Sequence, residues 1–416
     1  MIDDYLFQPE VDKEEHIIAT YYVESKNFFD ACKGIAIGQS IGNPNVRVTL
    51  EDERMMKENL AKILDIKSNL LSRQEGIVKI AYPIVNLDIP KDGITQLLCT
   101  LMGGQMDIDI IASCKLLDVE LPRKYKSHFK GPKYGLYEIK QRTGAVGRPL
   151  LGGIVKPKTG LNINQLKEVV MQLLKGGVDF IKEDEMLGNP SFCSFEERVS
   201  IISKVVNDFC KDAGKEVFYC PCINADYPYF LERAKFAEKE GVRGVHLNIW
   251  AGLPAYKALR DQDLKLAIFF QKSGDKVMTD REHKYSIDWK VVCQIARMIG
   301  VDFIHAGMWG GYLSDSKEKL SEIFNVLIKR DVYKPVVPSL SCGSHPGLVD
   351  STVKNFGTDL MMNVGGAIHG HPMGTEAGAK AMRDAFDCEQ SGQSIQEFMQ
   401  SRSELKKAIE KWGYIE

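Results

Sequence analysis

Lys182, Glu183, Asp184 and Glu185 follow directly on the apolar pair Phe180-Ile181, and Gly188-Asn189-Pro190 marks a turn soon after. Three acids crowd one lysine where an apolar run stops. Asp184 and Glu185 are hard oxygen donors of the kind Mg²⁺ takes. A lysine ammonium opposes a cation there. Burial favours the neutral amine, however, and that amine can react with CO₂ to give a carbamate, an anionic oxygen ligand. The plainer reading is a Lys182–Asp184 or Lys182–Glu185 ion pair, and the residues alone leave both open.

Other residues with chemistry in them also stand at the ends of apolar runs: Lys156-Pro157-Lys158, His305-Ala306-Gly307, Ser341-Cys342-Gly343 and Gly365-Gly366. Ser-Cys-Gly and Gly-Gly before a helix offer backbone N–H groups to a phosphate. Lys156 suits a general base or an electrostatic stabiliser, with Lys158 beside it. Mg²⁺ near a lysine base is an arrangement for taking a proton next to a carbonyl and holding the enediolate.

These ends belong to a repeating pattern. From about residue 148, eight short apolar runs (150–157, 178–184, 217–224, 244–250, 264–271, 301–307, 335–341 and 359–366) alternate with amphipathic segments such as NQLKEVVMQLLKGG. That alternation predicts a (β/α)8 TIM barrel, with chemistry at the C-terminal ends of its strands. The chain before it mixes strand-like runs (YYVE, GIVKIAYPI) with a helical RMMKENLAKIL. It reads as a smaller ferredoxin-like α+β domain over 1–125, ahead of a barrel over 126–416. SIQEFMQSRSELKKAIEKW reads as a final helix.

The 416 residues carry 54 basic and 56 acidic side chains, a net charge of -2, with no basic stripe, so nucleic acid and membrane surfaces are not expected partners. The amino-terminal MIDDYLFQPEVDKEE has no apolar signal core. Ten cysteines without framework spacing suit a reduced, cytoplasmic protein, and Cys220-Pro221-Cys222 has no second pair at zinc spacing.

Gly153-Ile-Val-Lys-Pro-Lys-Thr-Gly-Leu161 and GGVDFIKEDE (176–185) resemble the G-x-x-x-K-P-K-x-G-L and G-G-x-D-F-x-K-D-D-E motifs of the RuBisCO large-chain family. FIHAG, LSCG and VGGAIHGHPMG are similar to further family motifs. The resemblance implies CO₂ bound as a Lys182 carbamate and Mg²⁺ held by that carbamate, Asp184 and Glu185. It places a substrate phosphate on Gly343, Gly365 and Gly366. Lys156, or the carbamate, moves the proton; His305 and Ser341 orient the far end of the substrate; His371 is structural. It also implies a homodimer or an assembly of dimers, with Gln39 and Asn43 reaching toward the neighbour's site.

Four departures follow. Tyr312 stands where carboxylases have the lysine that holds CO₂, and Phe269-Phe270 where they have a His-Arg pair gripping a second phosphate. Gly104 replaces an asparagine, and GQSIGNP (38–44) an E-x-x-T-G-T-W motif. This looks like a form IV RuBisCO-like protein. It implies isomerase, tautomerase, decarboxylase or hydrolase chemistry on a monophosphorylated ketose or keto acid, with Phe269, Phe270 and Tyr312 as an apolar wall. An authentic carboxylase and a non-catalytic homologue are the alternatives.

Overall fold

The computed structural model describes residues 2–43, 48–69, 74–106 and 108–415. It falls into two compact units, Met1–Phe129 with Gly274–Ile295 and Lys130–Ser273 with Ala296–Glu416.

The first unit runs β1 (His16–Glu24), a helix (Phe28–Gly38), β2 (Lys62–Ser68), β3 (Glu75–Pro83), a helix (Ile89–Leu101) and β4 (Ser113–Glu120). The strands pair antiparallel in the order β4-β1-β3-β2, the expected ferredoxin-like arrangement. RMMKENLAKIL is not one helix. The helix ends at Glu58, and Lys62 starts β2, whose Ile63 pairs with Ile80 of β3. Sheet pairing overrides a run that has helical spacing on its own.

The second unit carries β5 (Leu150–Ile154), β6 (Phe180–Lys182), β7 (Phe218–Cys220), β8 (Gly244–Asn248) and β9 (Ala267–Gln271). After an excursion through β10 (Tyr285–Ile287), it continues with β11 (Phe303–Gly307), β12 (Val337–Leu340) and β13 (Met361–Val364). The eight barrel strands are parallel, and a bridge from Cys222 to His246 joins the β7 and β8 edges. Each lies within one of the eight runs read from the sequence. Residues 274–295, which the sequence reading left inside the barrel, cluster with the first unit instead, because β10 pairs parallel with β4 (Tyr285 with Cys114, Ile287 with Leu116). The final segment breaks at Arg402 into a short helix (Ile395–Phe398) and a longer one (Ser403–Trp412).

Parallel neighbours share a facing, so the registers define the barrel interior as layers of four from alternate strands. The lowest is Leu150, Phe218, Ala267 and Val337, and the next is Phe180, Gly244, Phe303 and Met361. Above them lie Gly152, Cys220, Phe269 and Ser339. Phe180 packs against Phe269 and Phe303 at ring separations of 5.6 and 4.8 Å, filling the bore. The next layer is wholly polar: Lys182, His246, His305 and Asn363, all buried. Lys182 Nζ lies 5.9 Å from the centre of the Phe269 ring, the step from apolar plug to site floor.

Candidate active site

Charge alternation along β6 sorts the four consecutive ionisable residues. Lys182 points into the bore. Glu183 turns outward and is fully buried against Arg198 on the helix Phe195–Ala213, with Nε to Oε1 at 3.0 Å and to Oε2 at 3.1 Å. Tyr219 OH (2.5 Å) and the Cys222 N–H (2.9 Å) also donate to Glu183. Arg198 donates in addition to the Leu187, Gly188 and Cys193 carbonyls, and so shapes the loop after β6. Glu183 is therefore a structural anion.

Asp184 and Glu185 turn to the cavity. Lys156 Nζ donates to Asp184 Oδ2 at 2.6 Å. Lys182 Nζ donates to the Glu183 carbonyl at 2.9 Å and to Glu185 Oε2 at 3.2 Å, while Ser273 Oγ donates to Glu185 Oε1. Burial alone would raise the Glu185 carboxyl, but the Lys182 charge and the Ser273 hydroxyl hold it well below the usual carboxylate range.

A cavity of about 810 Å³ opens at the C-terminal ends of the barrel strands. All ten residues picked from the sequence line it: Lys156, Lys158, Lys182, Asp184, Glu185, His305, Ser341, Gly343, Gly365 and Gly366. His305 leaves Nε2 without a hydrogen bond; burial, then the Lys272 and Lys182 charges, push its pKa down to about 3. It is neutral at ordinary pH. Gly365 lies close to the Lys156 side chain, since a Cβ would come 3.3 Å from Lys156 Cε. Gly343 has φ of +108°, and a Cβ there would come 2.8 Å from both Gly311 Cα and the Tyr312 backbone nitrogen. The loops after β11 and β12 thus touch backbone to backbone. Beside them Cys342 keeps a left-handed φ of +62° without being glycine, local strain of the kind that gathers at functional sites.

Tyr312 lines the cavity and is 78% exposed, so it stands at the mouth rather than forming an inner wall. Burial and the Cys342 thiol raise its phenol. Phe269 and Phe270 do not wall the cavity: the first belongs to the barrel plug and the second stacks on Tyr256 at 4.4 Å. β9 ends at Gln271, where the apolar run ends, and it is the residues at and after that end, Gln271-Lys272-Ser273, rather than Phe269-Phe270, that reach the site. Gln271 and Ser273 line the cavity, and the Lys272 charge acts on His305 and Cys342. A cation therefore does follow β9.

His371 is structural as expected, with Nε2 against the Glu404 carbonyl (2.9 Å) and Nδ1 accepting from the Met373 N–H (3.1 Å). His369 bridges the Ile154 carbonyl (2.8 Å) and Thr375 Oγ1 (3.1 Å). His345 lines the cavity with Nδ1 unpaired. In the first unit, Gln39 Nε2 donates to the Cys99 and Thr100 carbonyls (both 2.9 Å), so its amide is already engaged; a Cβ at Gly104 would meet open space. Pro44 of GQSIGNP lies outside the described residues. The sequence reading missed Gln271, Lys272, Ser273, Asn363 and His246. Two-residue alternation from Phe180, Phe269 and Phe303 would have pointed to the inward-facing ones. All ten cysteines are free, and among the described residues no helix is long and apolar enough to cross a membrane.

Comparison with known proteins agrees with this geometry. Residues 135–412 match the catalytic domain of the ribulose bisphosphate carboxylase large chain, and residues 4–125 its N-terminal domain. The chain is 34% identical to a ribulose bisphosphate carboxylase of Pyrococcus abyssi, covering 96% of this chain and 94% of that one. It is 31% identical to a 2,3-diketo-5-methylthiopentyl-1-phosphate enolase of Bacillus licheniformis, covering 92% and 94%. The crystal structure of a sulfate complex of octameric ribulose-1,5-bisphosphate carboxylase/oxygenase from Pyrococcus horikoshii OT3 superposes with a TM-score of 0.92 at 31% identity, over 99% of this chain and 97% of that one. With both family domains matched and a barrel-mouth cavity bearing the family's two lysine motifs, the chain belongs to the ribulose bisphosphate carboxylase large-chain family.

Proposed function

We propose that this protein is a Mg²⁺-dependent RuBisCO-like enzyme, an isomerase or lyase that removes a proton beside a carbonyl of a phosphorylated ketose or keto acid and does not fix CO₂. The observation that carries this reading is the pairing of two intact lysine–carboxylate contacts on the cavity floor with Tyr312 at its mouth. From Met308 to Asp315 the loop after β11 contains no lysine.

The donor set fits the group that the family implies. Among the described residues no three His, Cys, Asp or Glu side chains gather around one point. Asp184 and Glu185 supply two anionic groups, and Lys182 completes a third only as a carbamate, its amine having added CO₂. These three would hold Mg²⁺, which when bound would polarise a substrate carbonyl and stabilise charge developing on its oxygen. The chain's own residues do the rest. Lys156 Nζ, beside Asp184, or the carbamate itself accepts the substrate proton. Gly343, Gly365 and Gly366 receive the phosphate on backbone N–H groups. Neutral His305 and Ser341 hydrogen-bond the far end, and Lys158 adds positive charge at the rim. Lys272 follows β9, so that strand end keeps a cation and does not limit the substrate to one phosphate. A homodimer is the expected assembly.

A second reading, an authentic carboxylase, is favoured by the 34% identity to the Pyrococcus abyssi carboxylase and by Lys272. One proton NMR time course in D₂O with Mg²⁺ and bicarbonate separates the two. 5-Methylthioribulose 1-phosphate, 3-oxo-isoapionate 4-phosphate, a 2,3-diketo-5-alkylthiopentyl 1-phosphate and ribulose 1,5-bisphosphate are tested in parallel. Deuterium uptake or turnover of one of the first three, absent in Lys182→Ala, is the expected result. Net carboxylation of ribulose 1,5-bisphosphate overturns the reading of Tyr312.

A further inference from the structure

The proposed chemistry leaves two residues of the polar layer unused, Asn363, which lines the cavity, and His246, which does not. His246 is fully buried on β8, and its ring faces inward because it pairs in register with inward-facing Phe269. Neither ring nitrogen makes a hydrogen bond of normal geometry. Leaving a buried polar group unpaired is destabilising, and native interiors rarely keep one without a use. The Glu183 carbonyl, which accepts from Lys182 Nζ at 2.9 Å, is also the backbone acceptor acting on the His246 ring, so the two side chains share a neighbour. An imidazole ring carries at least one N–H donor in either protonation state. A lysine ammonium has donors only and cannot take the imidazole N–H. A carbamate brings two acceptor oxygens.

We propose that His246 is a positioning residue for Lys182, its ring N–H donating to an oxygen of the carbamate formed there. This rests on the carbamate reading above. In forming that group, the lone pair of the neutral amine bonds to the carbon of CO₂, one C–O π pair moves onto oxygen, and the nitrogen releases a proton to water. His246 then fixes the rotamer in which the new oxygens face Asp184 and Glu185. Removing outer partners of this kind costs about 10- to 100-fold in metal affinity or activity, and a loss at the low end of that range is expected here.

The test is ¹³C NMR of the full-length protein titrated with ¹³C-bicarbonate in the presence of Mg²⁺, reading the carbamate carbonyl signal. His246→Leu should need about tenfold more bicarbonate for half occupancy. His246→Gln, which keeps an N–H donor, should recover most of the loss. Without bicarbonate, the urea midpoint of His246→Leu should equal or exceed that of the unaltered protein, since an unpaired polar group is gone. A purely structural histidine would give no such opposition between stability and occupancy. An unchanged occupancy curve in His246→Leu overturns the role of His246 alone; absence of the signal from the unaltered protein overturns the carbamate reading with it. Should His246→Leu not fold, ¹⁵N-histidine spectra of the unaltered protein decide: an imidazole signal that moves with bicarbonate, and is missing in His246→Gln, is expected, and no movement overturns the proposal.

Discussion

Lys182 to Glu185 are four neighbours with three different jobs, and substitution should separate them. Glu183→Gln leaves Arg198 buried without its counter-charge. We expect a loss of about 3–5 kcal/mol in urea unfolding, with Arg198→Met similar. Asp184→Asn should cost less in unfolding than Glu183→Gln, because Asp184 is buried but its partner Lys156 is partly exposed and can turn to solvent, while abolishing Mg²⁺-dependent deuterium exchange. The sequence put charge at this strand end but not its direction. Arg198 lies fifteen positions downstream, so only the packed helix shows which acid it claims. Phe269 and Phe270 illustrate the opposite difficulty. An apolar run says that a strand is buried, yet not which residues at its end reach the site, and Gln271-Lys272 reads locally as a surface turn.

At the scale of elements, the eight barrel strands were legible because each is short, apolar and followed by a helix of clear periodicity. The β2 region was not, since RMMKENLAKIL satisfies helical spacing until its partner strand is known. The contact between the loops after β11 and β12 was invisible in the sequence for the same reason: it depends on two glycines 32 positions apart, Gly311 and Gly343. Gly343→Ala puts a methyl group against backbone at a positive φ, about 1–3 kcal/mol of local strain. The expected outcome is a KM for the phosphorylated substrate raised at least tenfold with the far-UV circular dichroism unchanged. An unaltered KM would remove Gly343 from the phosphate cradle. Lys272→Met tests the neighbouring strand end. If Lys272 carries the far end of the substrate, KM rises while Mg²⁺ binding stays the same.

For the molecule as a whole, acid should be the main solvent stress. Burial holds His246, His305, His345 and His369 below the ordinary imidazole value of 6.5, His305 at about 3. The sign follows from proton uptake. As pH falls through 6.5 the unfolded chain binds protons that the folded one refuses, so stability declines until the folded values are reached; above 6.5 these groups cost nothing. Each contributes up to ~1.4 kcal/mol per pH unit in that window. Urea midpoints measured from pH 7.5 to 5 should therefore fall, and His305→Asn should flatten the slope. A midpoint independent of pH over that range would contradict the burial of these rings.

The β10 excursion has a consequence for the order in which the chain is made. The first unit's sheet ends at β4 until residues 285–287 have emerged, long after β4 itself. At 5–20 residues per second, roughly ten to thirty seconds of translation separate the two. During that time β4 offers a bare edge on the ribosome, open to a second nascent chain or a chaperone. A gene cut at the end of the first family domain would make that interval permanent, so a fragment ending at residue 129 should aggregate where one carrying 274–295 fused behind it stays dispersed.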